Sequence, residues 1–203
     1  MPPTGSSTRS VALATSRRVS LYAVNLAFVE HSEISIAVVG DGSSGTVLVA
    51  QRGMGAWSLG DQPPIRLVAS GESRIVDLEG WPAPGRDRDR AAEIAAAAIR
   101  RDRFDVRCLS TTLSLAYVAA GRIASCLLFS APSPVHVAAG ALLAKEAGAL
   151  VSDLEGRAWT MGSPSLLASG DEAIHHEVLA LLESGGPSIG RRQREGTTGS
   201  IAT

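Results

Sequence analysis

The sequence predicts a layered α/β sandwich of the α+β kind, contained in one domain, on three observations. The chain has 203 residues, 45% hydrophobic and 19% charged, with a net charge of −1, which suits a single buried core. Its first third is a series of apolar, β-forming runs separated by turn residues. Its second part alternates strand-like and helix-like segments. This balance excludes a disordered chain, a polyanion binder and a two-domain enzyme, and no internal repeat is present. Lys145 is the only lysine, and the arginine bias says nothing about function.

Residues 1–16 are read as a disordered N-terminus, because Met1 to Ser10 is rich in Pro, Gly, Ser and Thr. Arg17 and Arg18 interrupt any leader-like run, which argues against a signal peptide. A domain over residues 17–184 follows. Val19 to Val29 and Ile34 to Val39 flank the polar break His31-Ser32-Glu33 and read as a hairpin. Thr46 to Ala50 follows the turn Gly40 to Gly45, which lacks a Lys-Ser/Thr pair or a trailing helix and so is no phosphate loop. Gly53 to Trp57 is another tight segment, before Ile65 to Val68.

Arg86 to Arg103 mixes acid, base and alanine as a solvated helix with one apolar face. Ser110 to Ala120 has helical spacing, with Ser110 as N-cap and Gly121 as stop. Ile123 to Phe129 reads as a buried strand, and Ser133-Pro134 opens a helix that ends near Gly148. Leu150 to Leu154, Leu166 to Ser169 and a helix Asp171 to Leu182 complete the domain. Residues 185–203, GGPSIGRRQREGTTGSIAT, read as a disordered tail. No stretch reaches the roughly 18 uncharged apolar residues of a membrane span. The expectation is a soluble, cytoplasmic protein with Cys108 and Cys126 as buried free thiols.

The run Pro134 to Gly148 (PVHVAAGALLAKEAG), followed by Val151 to Thr160 (VSDLEGRAWT), resembles the C-terminal signature of the inositol monophosphatase superfamily, P-W-D-x-A-A-G with E-A-G-G behind it. Val118-Ala119-Ala120-Gly121-Arg122 resembles that family's helix end, and Gly53-Met54-Gly55-Ala56 with Gly60 its G-x-G-A-x-x-N-G hairpin. The resemblance runs from about residue 20 to 183. It implies the layered inositol monophosphatase or sugar phosphatase-like fold without its N-terminal helical portion. It also implies a usually dimeric hydrolase that uses Mg²⁺ on small phosphate esters. Mg²⁺ is a hard cation that takes oxygen ligands octahedrally, so such chemistry requires carboxylates.

In the family those carboxylates come from an N-terminal loop Glu, from D-P-x-D-G-T ahead of the first long strand, and from the Asp of W-D. Residues 1–29 contain no Asp or Glu, and the place of Asp-Gly-Thr falls near Ser10-Val11-Ala12. The W-D pair reads Val135-His136, which makes His136 the occupant of the metal-ligand position. A neutral imidazole is a poor Mg²⁺ ligand, although it suits Zn²⁺ or Mn²⁺. The family's substrate-side acidic positions fall on Phe129 and near Ala124, both apolar.

Other constellations have plainer readings. His175-His176 with Glu172 and Glu177 describes a surface helix, Asp153 and Glu155 a turn, and Asp77 with Glu79 a solvated strand end. Nothing marks a nucleic-acid or membrane partner. Three readings follow. The sequence favours a catalytically degenerate family member that binds a small phosphorylated metabolite or pairs with itself or an active relative. The alternative is an active metal-dependent phosphomonoesterase rebuilt around His136 with Asp41, Asp77 or Glu79. The third is a poorly folding remnant whose apolar surface an oligomer would cover.

Overall fold

The computed structural model describes residues 6–16, 19–60, 63–79, 86–109, 111–130 and 133–184. The first six strands form one antiparallel sheet in chain order: β1 (Ser6–Ser16), β2 (Val19–Glu30), β3 (Glu33–Asp41), β4 (Thr46–Gln51), β5 (Gly55–Leu59) and β6 (Ile65–Arg66). Period-two alternation builds it. Ala23, Asn25, Ala37, Val39, Leu48, Ala50 and Ala56 point to one face and are buried. Residues 6–16, left outside the domain by the sequence reading, pair with β2 from Ser6↔Val29 to Ser16↔Val19. Their Ser and Thr content mutes the strand signal, while the open edge of β2 supplies a full ladder of backbone partners.

The remaining elements are β7 (Ile75–Glu79), α1 (Arg86–Arg100), β8 (Asp105–Arg107), α2 (Leu113–Ala119), β9 (Ser125–Leu128), α3 (Pro134–Glu146), β10 (Leu150–Ser152), β11 (Leu166–Ser169) and α4 (Glu172–Ser184). The strands make a second sheet, ordered β10-β11-β9-β7-β8, in which β7 runs parallel to both β8 and β9. Ser110, the expected N-cap, lies outside the described residues, and Thr112 holds the cap position of α2. The tail 185–203 is also outside them.

Four layers result. Helices α2 and α3 lie between the sheets, where Val39, Leu48, Leu113, Val118, Leu143 and Leu166 share one core. Helices α1 and α4 cover the far side of the second sheet through Val76, Leu78, Ile94, Leu127, Leu167 and Val178. Gly140 sets the spacing of the middle layer, since a Cβ there would stand 2.6 Å from Leu115 Cβ. The hairpin between β4 and β5 is fastened to the last turn of α3. Glu146 accepts hydrogen bonds from the N–H groups of Gly53 and Gly55, each at 2.8 Å, and those glycines hold φ of +73° and +82°.

Candidate functional site

A buried polar nook lies between the two sheets where the chain enters α2. The alternation of β7 sends Val76 and Leu78 towards α1 and α4 and turns Asp77 and Glu79 the other way. Asp77 is 0% and Glu79 8% exposed. This corrects the expectation of a solvated strand end. Asp77 Oδ1 accepts from the Leu109 N–H at 2.9 Å, and Glu79 Oε1 from the Thr111 N–H at 3.3 Å. These bonds join partners 32 residues apart, beyond the reach of any local pattern.

Asn25 of β2, which the sequence reading did not select, closes the nook from the first sheet. Its Nδ2 donates to Thr112 Oγ1 at 2.7 Å. The signal was a lone amide at an inward position of an apolar strand. Asn25 Oδ1 and Asp77 Oδ2 are buried with no hydrogen-bond partner among the described residues. Such oxygens are costly to leave unpaired, and the nook is rich in acceptors. Chemically it can receive hydrogen bonds from hydroxyl or ammonium groups.

The other candidates sit elsewhere. His136 is in the first turn of α3, half-buried, its backbone N–H bonded to the Ser133 carbonyl at 2.8 Å. Asp41 ends β3 and caps its turn, accepting from the Ser43 and Ser44 N–H groups, while the Tyr117 hydroxyl donates to its Oδ2 at 3.3 Å. Burial alone would raise the Asp41 pKa, but the Ser43 and Ser44 hydrogen bonds outweigh it and hold the carboxyl below its ordinary value. Phe129 and Ala124 are core residues of the α1 and α4 side. Among the described residues, no three His, Cys, Asp or Glu side chains converge as a metal site.

Asp153 does serve a turn, accepting from the Glu155 and Arg157 N–H groups at 3.0 and 2.9 Å. Cys126 is buried as expected, whereas Cys108 is exposed. Burial, then the charges of Asp77 and Glu79, push both thiols up. Two cavities, of about 320 and 230 Å³, lie apart from the nook. In the larger, Arg52 pairs with Glu33, Glu146 clasps the glycine hairpin, and Lys145 donates to the Trp159 carbonyl. The smaller is lined by Phe129 and the Arg90–Glu155 ion pair.

His175 corrects the surface-helix reading, for it is 5% exposed and sits between two serines. Ser152 Oγ donates to the Asp153 carbonyl at 2.7 Å, so its oxygen accepts from His175 Nε2–H at 3.0 Å. Nδ1 lies 3.2 Å from the Ser169 hydroxyl, which is itself 3.0 Å from Ser125 Oγ. Burial first, and His176 second, depress its pKa below the ordinary 6.5. Between the folded-state pKa and that value the unfolded chain binds a proton that the folded chain does not. Stability therefore falls as pH drops through about 6.5. Urea melts from pH 8 to 5 should show this decline, and His175→Gln should flatten it. An equal slope in the variant would dismiss His175 as the source.

With this geometry in place, comparison with known proteins is informative. The Inositol monophosphatase family profile matches residues 16–186. The chain is 29% identical over 170 residues to the fructose-1,6-bisphosphatase/inositol-1-monophosphatase of Thermotoga maritima, covering 83% of this chain and 63% of that protein. It is 32% identical over 169 residues to an inositol-1-monophosphatase of Mesorhizobium japonicum, covering 81% and 61%. It thus spans less than two thirds of the length of these relatives. The solved extragenic suppressor protein SuhB of Bartonella henselae superposes with a TM-score of 0.70 at 26% identity, over 81% of this chain and 63% of that one. The inositol monophosphatase of Thermotoga maritima gives 0.69 at 25%, over 81% and 61%.

Proposed function

This chain belongs to the inositol monophosphatase family, and from that premise we propose that it binds a small phosphorylated metabolite, or pairs with an active relative, without hydrolysing phosphate esters itself. One observation carries the reading. The carboxylates that border the nook, Asp77 and Glu79, accept from the backbone N–H groups of Leu109 and Thr111, while the position of the W-D ligand holds His136.

The family's Mg²⁺ requires anionic oxygens in an octahedral array. Here the ligand position offers a half-buried imidazole at a helix start, and an imidazole nitrogen is a poor match for a hard cation. The segment matching Asp-Gly-Thr is Ser10-Val11-Ala12, laid into β1 opposite Asn25, Val24 and Ala23. These residues do not fit Mg²⁺, so no hydrolytic step is derived through it. The acceptor-rich nook instead supports recognition of a ligand's hydroxyl groups.

The test is phosphate release from a panel of inositol and sugar phosphates with Mg²⁺, Mn²⁺ or EDTA, beside titration calorimetry with the same compounds. The expected result is no metal-dependent turnover from a cooperatively folded chain, with binding of at least one compound weakened by Asn25→Ala. Metal-dependent turnover abolished in His136→Ala would establish a rebuilt phosphatase centre and overturn the proposal.

A further inference from the structure

Lys145, the only lysine of the chain, stands in the last turn of α3 and lines the cavity of about 320 Å³, a volume at the small end of those that hold metabolites. Two carboxylates line the same cavity, and each is engaged elsewhere. Glu33, at the start of β3, pairs with Arg52, whose Nε and Nη2 also donate to the Ile34 carbonyl at 2.9 and 2.6 Å. Glu146 turns to the N–H groups of Gly53 and Gly55. Among the described residues, Lys145 therefore forms no ion pair. Its Nζ donates to the Trp159 carbonyl at 3.3 Å and stands 5.4 Å from the centroid of the Trp159 ring. That is near the outer limit of about 6 Å at which an aromatic face holds a cation.

We propose that Lys145 is a nucleophilic amine that captures small aldehydes in this cavity as imines. An amine attacks a carbonyl carbon only through its free electron pair, so its surroundings must disfavour the ammonium form. Partial burial does so first and the Arg52 charge second, and together they hold Lys145 below its ordinary pKa. A lysine desolvated beside a second cation is a recurrent way of activating this side chain. Arg52 is fixed in that role, since Glu33 and the Ile34 carbonyl anchor its guanidinium. The Trp159 carbonyl accepts from a neutral amine as well as from an ammonium, which positions Nζ and leaves its electron pair free. Ile34 and Leu142 add apolar wall for the aldehyde's carbon chain. The condensation balances without a further reagent. The Nζ electron pair forms the C–N bond, the carbonyl oxygen leaves as water with the two amine hydrogens, and a C=N bond remains. Acyl transfer would also require free donors for a tetrahedral oxyanion, and the Arg52 guanidinium is already bound.

The inference does not depend on whether the chain binds or hydrolyses phosphate esters. The full folded chain is treated with propanal and sodium cyanoborohydride near neutral pH, and its peptides are followed by mass spectrometry. Hydride reduction fixes each imine as a secondary amine, and with a single lysine the α-amine of Met1 is the only other primary amine. Lys145 is expected to be alkylated roughly fivefold or more faster than Nα-acetyl-lysine in the same solution. That excess should vanish in urea, where the cavity is gone. Arg52→Gln, which keeps a donor for the Ile34 carbonyl, should bring the rate towards that of the free amino acid. Lys145→Arg, which keeps a donor for the Trp159 carbonyl, should remove the label. Should Arg52→Gln misfold, the urea comparison on the native chain decides the matter. Equal rates in the folded and unfolded chain, a label confined to Met1, or an undiminished rate in a folded Arg52→Gln would each overturn the proposal.

Discussion

Gly140→Val is expected to lower the melting temperature by roughly 6–12 °C, from about 3 kcal/mol of overpacking in a domain of this size. Even the first added carbon would stand 2.6 Å from Leu115 Cβ, so α2 and α3 must separate and both sheets with them. Gly140→Ala is the sharper control because its sign reverses. In an exposed helix alanine gains up to about 1 kcal/mol over glycine, whereas here it should destabilise. Thermal melts of both variants check this, and a raised melting temperature for Gly140→Ala would show that the helices are not in such close contact.

Glu146→Ala is expected to cost about 2 kcal/mol, since two charge-assisted hydrogen bonds are lost and one of the released N–H groups is partly buried. The hairpin over Gln51–Gly55 should then become the first site of proteolytic nicking, with the rest of the sheet still folded. Equal protease resistance and an unchanged urea midpoint would show that the glycines hold their turn without the carboxylate. Glu146→Gln, which keeps one acceptor, should fall between.

The sequence showed plainly what local patterns can carry. Alternation in Val19 to Val29 and Thr46 to Ala50 marks the meander, and Pro134 with Gly148 brackets α3 because one suits a first turn and the other a left-handed stop. The family signature in Pro134 to Gly148 was equally legible. What escaped was decided at a distance. Asp77 and Glu79 look like solvent-facing charges until the backbone of residues 109–111 is laid against them. His175 and His176 are adjacent, and only the packing of α4 on β10 and β11 decides which is buried between serines. Asn25 is one amide among apolar neighbours, and its partner Thr112 is 87 positions away. Residues 6–16 form a strand because β2 presents an edge, a fact about the neighbour and not about their own composition.

The sequential order of the first sheet bears on how the chain is made. The six strands are complete by Arg66 and can pair as they appear, each with the strand just before it. The helix that shields the inner face is complete only at Glu146, eighty residues later. At ~5–20 residues per second this leaves about 4–16 s in which the inner face of the nascent sheet lacks the cover of α3. During synthesis the meander is thus a natural client for a ribosome-associated chaperone.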